Sequence, residues 1–170
     1  MAQLIALAFV LFAAQTAAPS REAIISASKD IIAKSHFCTF ITVSADGQPQ
    51  ARVVDPIAPD ANFVIWFATN PLTRKVSEIR RNPKVTLSCF DASTSSYVTV
   101  IGRAALVTDP AVKQAHWKPD WAPIYPKGAA SADVVLVRIT PVRLEISSEA
   151  RGIRNDPKTW RPVSIGFPGR

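Results

Sequence analysis

Three cationic and two hydroxyl side chains in the first half of the sequence could together bind an anion. The cations are Arg52, Arg74 and Lys75, and the hydroxyls belong to Thr69 and Thr73. Four of the five precede or begin a predicted helix, whose free backbone N–H groups and positive dipole end favour a negative charge. Such a cluster suits a phosphate group. A solvated basic helix face is the other interpretation of the same residues.

The sequence lacks the motifs of several other common active sites. It contains no GxSxG, P-loop, GxGxxG or HExxH pattern, so no catalytic residue can be assigned from a motif. Cys38, Cys89, His36 and His116 do not fall into CxxC or HxxxH spacing, which excludes a zinc centre built on thiolates. No metal site is expected.

Length and composition predict one globular domain. The chain has 170 residues, of which 48 % are hydrophobic and 19 % charged, which excludes an intrinsically disordered protein. The net charge of +7 is spread along the sequence. Aromatic residues are not interleaved with the basic ones as in a stacking surface, so no nucleic-acid partner is expected.

The first 20 residues predict export. They carry no charged side chain, and Leu4–Ala14 is an apolar run of 11 residues followed by small residues up to Ala18. This pattern is typical of a secretory signal peptide and is too short to span a bilayer, so no stable membrane anchor is expected. The protein would be periplasmic or secreted. A helix packed on the core of a cytoplasmic protein is the alternative.

Hydrophobic periodicity predicts the elements that position the basic cluster. An amphipathic helix is expected over Arg21–Ser35, and a hairpin of strands Phe37–Val43 and Gln48–Val54 is expected around Asp46-Gly47. Asn62–Ala68 reads as a strand buried on both faces. Next comes a helix with Asn70 as N-cap and Pro71 at its first position. Its predicted inner face is Leu72, Val76 and Ile79, and Glu78 is expected among the residues that face away.

Four further strands and a long connection complete the predicted domain, which spans residues 21–150 and precedes a tail at 151–170. The strands are Lys84–Phe90, Tyr97–Val107 with a bulge at Gly102, Asp133–Ile139 and Val142–Ser147. The connection Asp109–Ser131 is long enough to be a functional flap. Its Trp117, Trp121 and Tyr125 are candidates for closing a cleft, with core or dimer packing as the alternative. The expected architecture is mainly β: a small antiparallel barrel with flanking helices.

Several of these segments resemble the pyridoxamine 5′-phosphate oxidase-like family of flavin-binding split barrels. The similarity covers residues from about 28 to 147 and is greatest to the general-stress-type and uncharacterised members. It is carried by Arg52-Val-Val54, Phe67-x-Thr69-Asn70 with Thr73-Arg74-Lys75, Ile79-x-x-Asn82-Pro83, Tyr97-Val-Thr-Val-x-Gly102-x-Ala104 and Pro141-Val-Arg-Leu-Glu145.

The resemblance implies a six-stranded antiparallel split β-barrel that forms a homodimer, with FMN (flavin mononucleotide) bound in each of two clefts between the subunits. Arg52 and Lys75 would clamp the flavin phosphate with help from Thr73 and Arg74. The ring would lie along Val53, Val54, Ala68 and Thr69, and Tyr97 would contact it from the opposite subunit.

The activity that the resemblance implies is a flavin-dependent oxidoreductase acting on a small-molecule redox substrate. The vitamin oxidases of this family end in an Arg-x-His substrate clamp, whereas Arg151–Arg161 contains no histidine, which argues against oxidation of pyridoxamine phosphate. A non-catalytic carrier of flavin, deazaflavin or haem is the alternative. Haem would need His36 or His116 as its axial ligand.

Cys38 and Cys89 lie on separate predicted strands. Buried free thiols are the default expectation for them. A disulfide is possible in an oxidising compartment if their Cα atoms lie within about 7 Å of each other.

Overall fold

Strands dominate the computed structural model, which describes residues 18–169. The elements are α1 (Arg21–Ser35), β1 (Cys38–Val43), β2 (Pro49–Val54), β3 (Ile65–Thr69), α2 (Arg74–Arg81), β4 (Lys84–Asp91), β5 (Ser96–Val107), α3 (Pro110–Ala115), β6 (Val135–Ser147) and β7 (Val163–Gly166). The predicted signal peptide at 1–20 lies almost entirely outside the described residues. Within residues 18–169, no helix is long and apolar enough to cross a membrane, and no cluster of potential metal ligands is present.

The strands form one antiparallel sheet in the order β2-β1-β4-β5-β6-β3, with β7 paired to β6. β2 and β3 are the two ends of this path, so the barrel is not closed. The mainly β architecture is therefore confirmed. The sheet has seven strands, where the family resemblance implied six, because Val163–Gly166, in the C-terminal segment, pairs with β6.

β6 is a single strand of 13 residues, although the Thr140-Pro141 pair predicted an interruption. Gly102 of β5 lies opposite Pro141, and the pairing register shifts between Ile101 and Gly102. A Cβ atom at Gly102 would lie only 2.4 Å from the carbonyl oxygen of Thr140. The predicted bulge at Gly102 thus lets the two backbones approach and lets a strand containing proline continue.

The core lies between α1 and the inner face of the sheet. Along β1, β4 and β5 the side chains alternate between buried and more exposed positions, as a half-buried strand requires. Helix α1 contributes Ile24, Ala27, Ile31 and Ile32 to this core. Each fully buried side chain of isoleucine size stabilises the fold by roughly 1.5–3 kcal/mol relative to an exposed one.

Cys38 and Cys89 form a disulfide, so the default expectation of free thiols is wrong. The two residues are direct partners in the antiparallel register of β1 and β4, and their Cα atoms are 4.5 Å apart. Both side chains point into the core. Only the pairing of these two strands, which are 51 residues apart in sequence, brings the sulfur atoms together.

Candidate cofactor site

A tight turn connects β3 to α2 and shapes the candidate site. The Asn70 side chain accepts a hydrogen bond from the backbone N–H of Leu72 at 2.8 Å, and the N–H of Thr73 donates to the carbonyl of Asn70 at 3.1 Å. The helix therefore begins at Arg74 with Thr73 as its N-cap, and the expected start at Asn70-Pro71 is wrong. Leu72 belongs to this turn and is 92 % exposed instead of lying on the inner face.

A cleft with two adjacent lobes lies beside the turn. The larger lobe has a volume of about 490 Å³ and is lined by Thr69, Asn70, Thr73, Lys75, Ile124, Tyr125, Pro126, Lys127, Ser131 and Asp133. The smaller lobe, of about 220 Å³, is lined by Phe37, Val53, Val54, Asp55, Ala68, Thr69, Lys75, Trp121, Ile124 and Tyr125. Both lobes share Thr69, Lys75, Ile124 and Tyr125. The cleft thus brings together six of the nine site residues expected from the sequence.

Lys75 is the cation at the junction of the two lobes. Its Nζ donates to Thr69 Oγ1 at 3.0 Å, and this hydroxyl lies 3.3 Å from that of Thr73. Burial, and secondly the positive charge of Arg52, lower the pKa of the Lys75 ammonium, while Glu78 acts in the opposite direction. An anion in the cleft would offset the cost of burying this charge.

Arg52 is held beside the cleft by other residues and does not line either lobe. Its guanidinium donates to Glu78 Oε2 at 2.8 Å, to Thr42 Oγ1 at 2.5 Å and to the carbonyl of Gln50 at 2.6 Å. The Thr42 hydroxyl also donates to Glu78 Oε2. The exposed Arg74 forms an ion pair with Glu78, with 3.1 Å between Nε and Oε1. Two of the expected phosphate-binding cations are thus paired with one carboxylate.

Glu78 is the site residue that sequence reasoning missed, and the expectation that it faces away is wrong. Its side chain is 1 % exposed. It is the single acidic residue of α2 and lies four residues after Arg74, which is the spacing of a helical ion pair. That spacing was the available signal, but only the tertiary structure shows that Thr42 of β1 and Arg52 of β2 are its other partners.

We expect Glu78→Gln to lower the free energy of unfolding by about 2 kcal/mol, because hydrogen bonds to charged groups contribute roughly 1.5–3 kcal/mol. Burial alone would raise the pKa of Glu78, but bonds from Thr42 and Arg52 and the charge of Arg74 bring it below its ordinary value. A carboxyl with a lowered folded-state pKa stabilises the protein above its unfolded-state pKa, and this contribution is lost as the pH falls through the folded-state pKa.

Urea unfolding at several pH values measures this effect, with Arg81→Gln on the exposed side of the same helix as control. The difference between the wild type and Glu78→Gln should shrink as the solution is acidified, and the control should change by less than about 0.5 kcal/mol. A difference that does not depend on pH would contradict an ionised Glu78.

A loop after α3 contributes residues to the lining of both lobes and is fastened by Asp55. One oxygen of this carboxylate accepts from Lys118 Nζ at 2.5 Å, and the other accepts from the indole N–H of Trp121 at 3.0 Å. The Trp117 ring packs edge-on against Trp121 and Tyr125, with centroids 5.6 and 6.3 Å apart. Burial raises the pKa of the Tyr125 phenol. Of the three candidate aromatics, Trp121 and Tyr125 line the cleft.

Comparison with known proteins agrees with this architecture. The sequence matches the family model for pyridoxamine 5′-phosphate oxidase over residues 24–148. The chain belongs to the pyridoxamine 5′-phosphate oxidase family. None of the curated proteins matches its sequence.

Solved structures of members and relatives of this family share the fold. A Clostridium acetobutylicum protein related to general stress protein 26 of B. subtilis has a TM-score of 0.73 and 18 % identity, over 87 % of this chain and 97 % of that one. General stress protein 26 of Bacillus anthracis has a TM-score of 0.66 and 18 % identity, over 85 % and 98 %. An F420 reductase has a TM-score of 0.56 and 24 % identity, over 68 % and 94 %.

Tyr97 lies away from the cleft of its own subunit in this pyridoxamine 5′-phosphate oxidase family member. It is paired with Phe90 of β4 and with Ser147 of β6, and it lies on the outer face of the sheet. The same face carries several exposed or half-exposed apolar side chains, namely Ile41, Val43, Phe90, Ile101 and Val142. A contact of Tyr97 with a cofactor therefore requires a second subunit.

We expect Asp55→Ala to destabilise this protein by about 2 kcal/mol, because the largely buried indole N–H of Trp121 would lose its acceptor. The loop that forms the cleft wall should then become more sensitive to proteolysis. Asp120→Ala is a matched control, since Asp120 lies 3.8 Å from the same Lys118 but is exposed, and surface ion pairs contribute roughly 0–1 kcal/mol. Equal effects of the two substitutions would show that Asp55 does not fasten the loop.

Proposed function

We propose that the protein binds FMN in the two-lobed cleft and is a flavin-dependent oxidoreductase acting on a small-molecule substrate. The observation that carries the proposal is the position of Lys75. A partly buried cation with two hydroxyls beside it lies where the smaller lobe, lined mostly by apolar residues, meets the larger lobe, lined mostly by polar residues. FMN has a planar apolar ring at one end and a phosphate at the other, so it needs this combination of walls.

The donor set fits a phosphate group at the junction of the lobes. Lys75 offers a charged donor and Thr69 a hydroxyl beside it, and the N-terminus of α2 adds free backbone N–H groups. The Thr73 hydroxyl donates to the carbonyl of Asn70 at 2.8 Å and would have to rotate to donate to the phosphate. Arg74 lies in the first turn of the same helix and could turn from Glu78 towards the phosphate. Arg52 would act mainly through its charge, since its Nη1 and Nη2 atoms already donate to Glu78, Thr42 and two backbone carbonyls.

In this proposal the smaller lobe, lined mostly by apolar residues, would hold the ring of FMN. Val53 and Val54 come from the end of β2 and Ala68 from the end of β3, and Trp121 lines the same lobe. A bound flavin would supply the capacity for hydride transfer, while the protein orients it and excludes water. In this proposal Asp55 helps to exclude water, because it holds the loop after α3 against the cleft.

We further propose that two copies of the chain form a homodimer through the outer face of the sheet. Phe37 and Val53 are 63 % and 67 % exposed, and both also line the smaller lobe. The outer face, which carries the apolar side chains named above among polar ones, is therefore continuous with the cleft, and a second copy would bury both together. That arrangement would bring the partner's Tyr97 to the ring. Sedimentation equilibrium should give twice the chain mass, and a monomer would overturn this proposal.

Export is supported by the disulfide between Cys38 and Cys89, since such bonds persist in oxidising compartments and are rare in the cytosol. Haem binding at the cleft receives less support. His116 stacks on Trp66 with ring centroids 4.0 Å apart, and His36 follows α1 beside Pro56 and Ile57. Neither histidine lines a lobe of the cleft.

The test is to purify the full chain, record its visible spectrum and identify any heat-released cofactor by chromatography. Added FMN should bind more tightly than riboflavin, because riboflavin lacks the phosphate. Equal affinity for FMN and riboflavin would mean that the phosphate is not bound at this site. Release of a deazaflavin or haem from the purified protein would mean that the ligand is that compound and not FMN. Reduction of bound FMN by a panel of reductants, compared with free FMN, then separates an oxidoreductase from a carrier.

A further inference from the structure

A second surface combines an exposed aromatic side chain with unpaired cations on the loop Asp156–Arg161. Trp160 is 76 % exposed, which is unusual for a side chain of this size. Lys158 and Arg161 flank it and are also exposed. Neither cation forms a salt bridge within residues 18–169, whereas the neighbouring Arg151 and Arg154 are paired with Asp30 and Glu149.

Hydrogen bonds within the loop Asp156–Arg161 fix its conformation, in which the Trp160 side chain is exposed. The Asp156 carboxylate accepts from the backbone N–H groups of Lys158 and Thr159 at 3.1 and 2.7 Å, and from the Thr159 hydroxyl at 2.8 Å. The Asp156 carbonyl accepts from the N–H of Trp160 at 2.8 Å, and the Asp156 N–H donates to the carbonyl of Arg161 at 2.9 Å. The loop contains one acidic and two basic side chains, Asp156, Lys158 and Arg161, so its net charge is positive.

The same face contains the point where the N-terminal segment joins the domain. A groove of about 370 Å³ lies between Ala18-Pro19 and the stretch Arg154–Pro157. The apolar run Leu4–Ala14 ends four residues before Ala18. The first described residues of the chain and the start of the basic loop therefore line one groove.

We propose that the loop Asp156–Arg161 is a docking surface for anionic phospholipid membranes. Tryptophan is enriched at the level of lipid headgroups, where its ring is buried and its N–H remains hydrated. Lysine and arginine beside it are attracted to anionic headgroups within a Debye length. Binding is reversible, since one ring and two cations do not form an anchor, and it is independent of the cofactor cleft.

The test measures cosedimentation of the full chain with vesicles of phosphatidylcholine alone and with about 30 % phosphatidylglycerol. The anionic vesicles should bind the protein, and added salt should weaken binding. Trp160→Ala should lower the partition coefficient several-fold and remove most of the blue shift of tryptophan emission. Lys158→Glu with Arg161→Glu should lower the coefficient by about tenfold or more.

Arg80→Glu with Arg81→Glu is the control of equal net charge, on the exposed side of α2, and should retain most of the binding. Equal binding to neutral and anionic vesicles would assign the effect to the apolar N-terminal segment and overturn the proposal. So would a Trp160→Ala variant that loses dimerisation but not vesicle binding, since the loop would then be a subunit contact. Binding to duplex DNA but not to vesicles, lost in the loop variants, would make the partner a nucleic acid.

Discussion

Replacing Lys75 by alanine is expected to weaken FMN binding by about 100-fold, because a charge-assisted hydrogen bond contributes roughly 1.5–3 kcal/mol. Lys75 is the cation that reaches both lobes of the cleft, whereas Arg52 and Arg74 are paired with Glu78. The substitution should weaken only the interaction with the phosphate group of FMN. Riboflavin should therefore bind the variant about as well as it binds the wild type.

Fluorescence titration with FMN and riboflavin measures both affinities in the same protein. Arg80→Ala is the matched control, since it removes a cation from the exposed side of the same helix. If Lys75→Ala weakened riboflavin as strongly as FMN, the substitution would have disturbed the cleft and not the phosphate contact. If neither affinity changed, Lys75 would not contact the phosphate.

The affinity for FMN should also fall with rising pH. The protonated ammonium binds the phosphate, so affinity decreases as the pH passes the pKa of Lys75 in the free protein. Burial and the charge of Arg52 lower that pKa, so the decrease should begin at a lower pH than for an ordinary lysine. The Lys75→Ala variant should lack this pH dependence.

Replacing both cysteines by serine is expected to cost about 4 kcal/mol of unfolding free energy, the largest stability effect that we predict. The disulfide closes a loop between residues 51 positions apart, and the loss of chain entropy in the unfolded state on closing such a loop corresponds to about 4 kcal/mol. Urea unfolding of wild type and Cys38→Ser/Cys89→Ser measures the difference.

Reduction provides the control for this experiment. A reductant should lower the unfolding midpoint of the wild type towards that of the double variant and leave the variant unchanged. A variant as stable as the oxidised wild type would mean that the disulfide does not constrain the unfolded chain. The smaller lobe of the cleft should also become more mobile, because two residues that line it adjoin Cys38. Phe37 precedes Cys38 in the sequence, and Val54 is its partner on β2.

The elements with a strong local pattern could be predicted from the sequence. The amphipathic run of α1, the hairpin at Asp46-Gly47 and the apolar strand before Thr69 all appear at nearly the expected positions. Gly102 is at the predicted bulge. The segments that carry the family resemblance occur in the same order along the chain as the observed strands and turns. Each of them is a short stretch that can be recognised from residues close in sequence. The local patterns were sufficient for the mainly β fold class. Of the six expected residues that line the cleft, Thr69, Thr73 and Lys75 belong to the basic cluster, whereas Val53, Val54 and Ala68 were expected only from the family resemblance.

Only the tertiary structure shows the contacts between residues that are distant in sequence. Glu78 meets Arg52 across α2 and β2, Cys38 meets Cys89 across β1 and β4, and β7 meets β6. Asp55 gains its role from Trp121, 66 residues later. Local periodicity contains no information about which strands become neighbours, and burial of a charged side chain depends on the partner that packing supplies. The sequence by itself therefore determined the fold class and part of the candidate site, while tertiary packing, which pairs Arg52 and Arg74 with Glu78, determined which of the cations face the cleft.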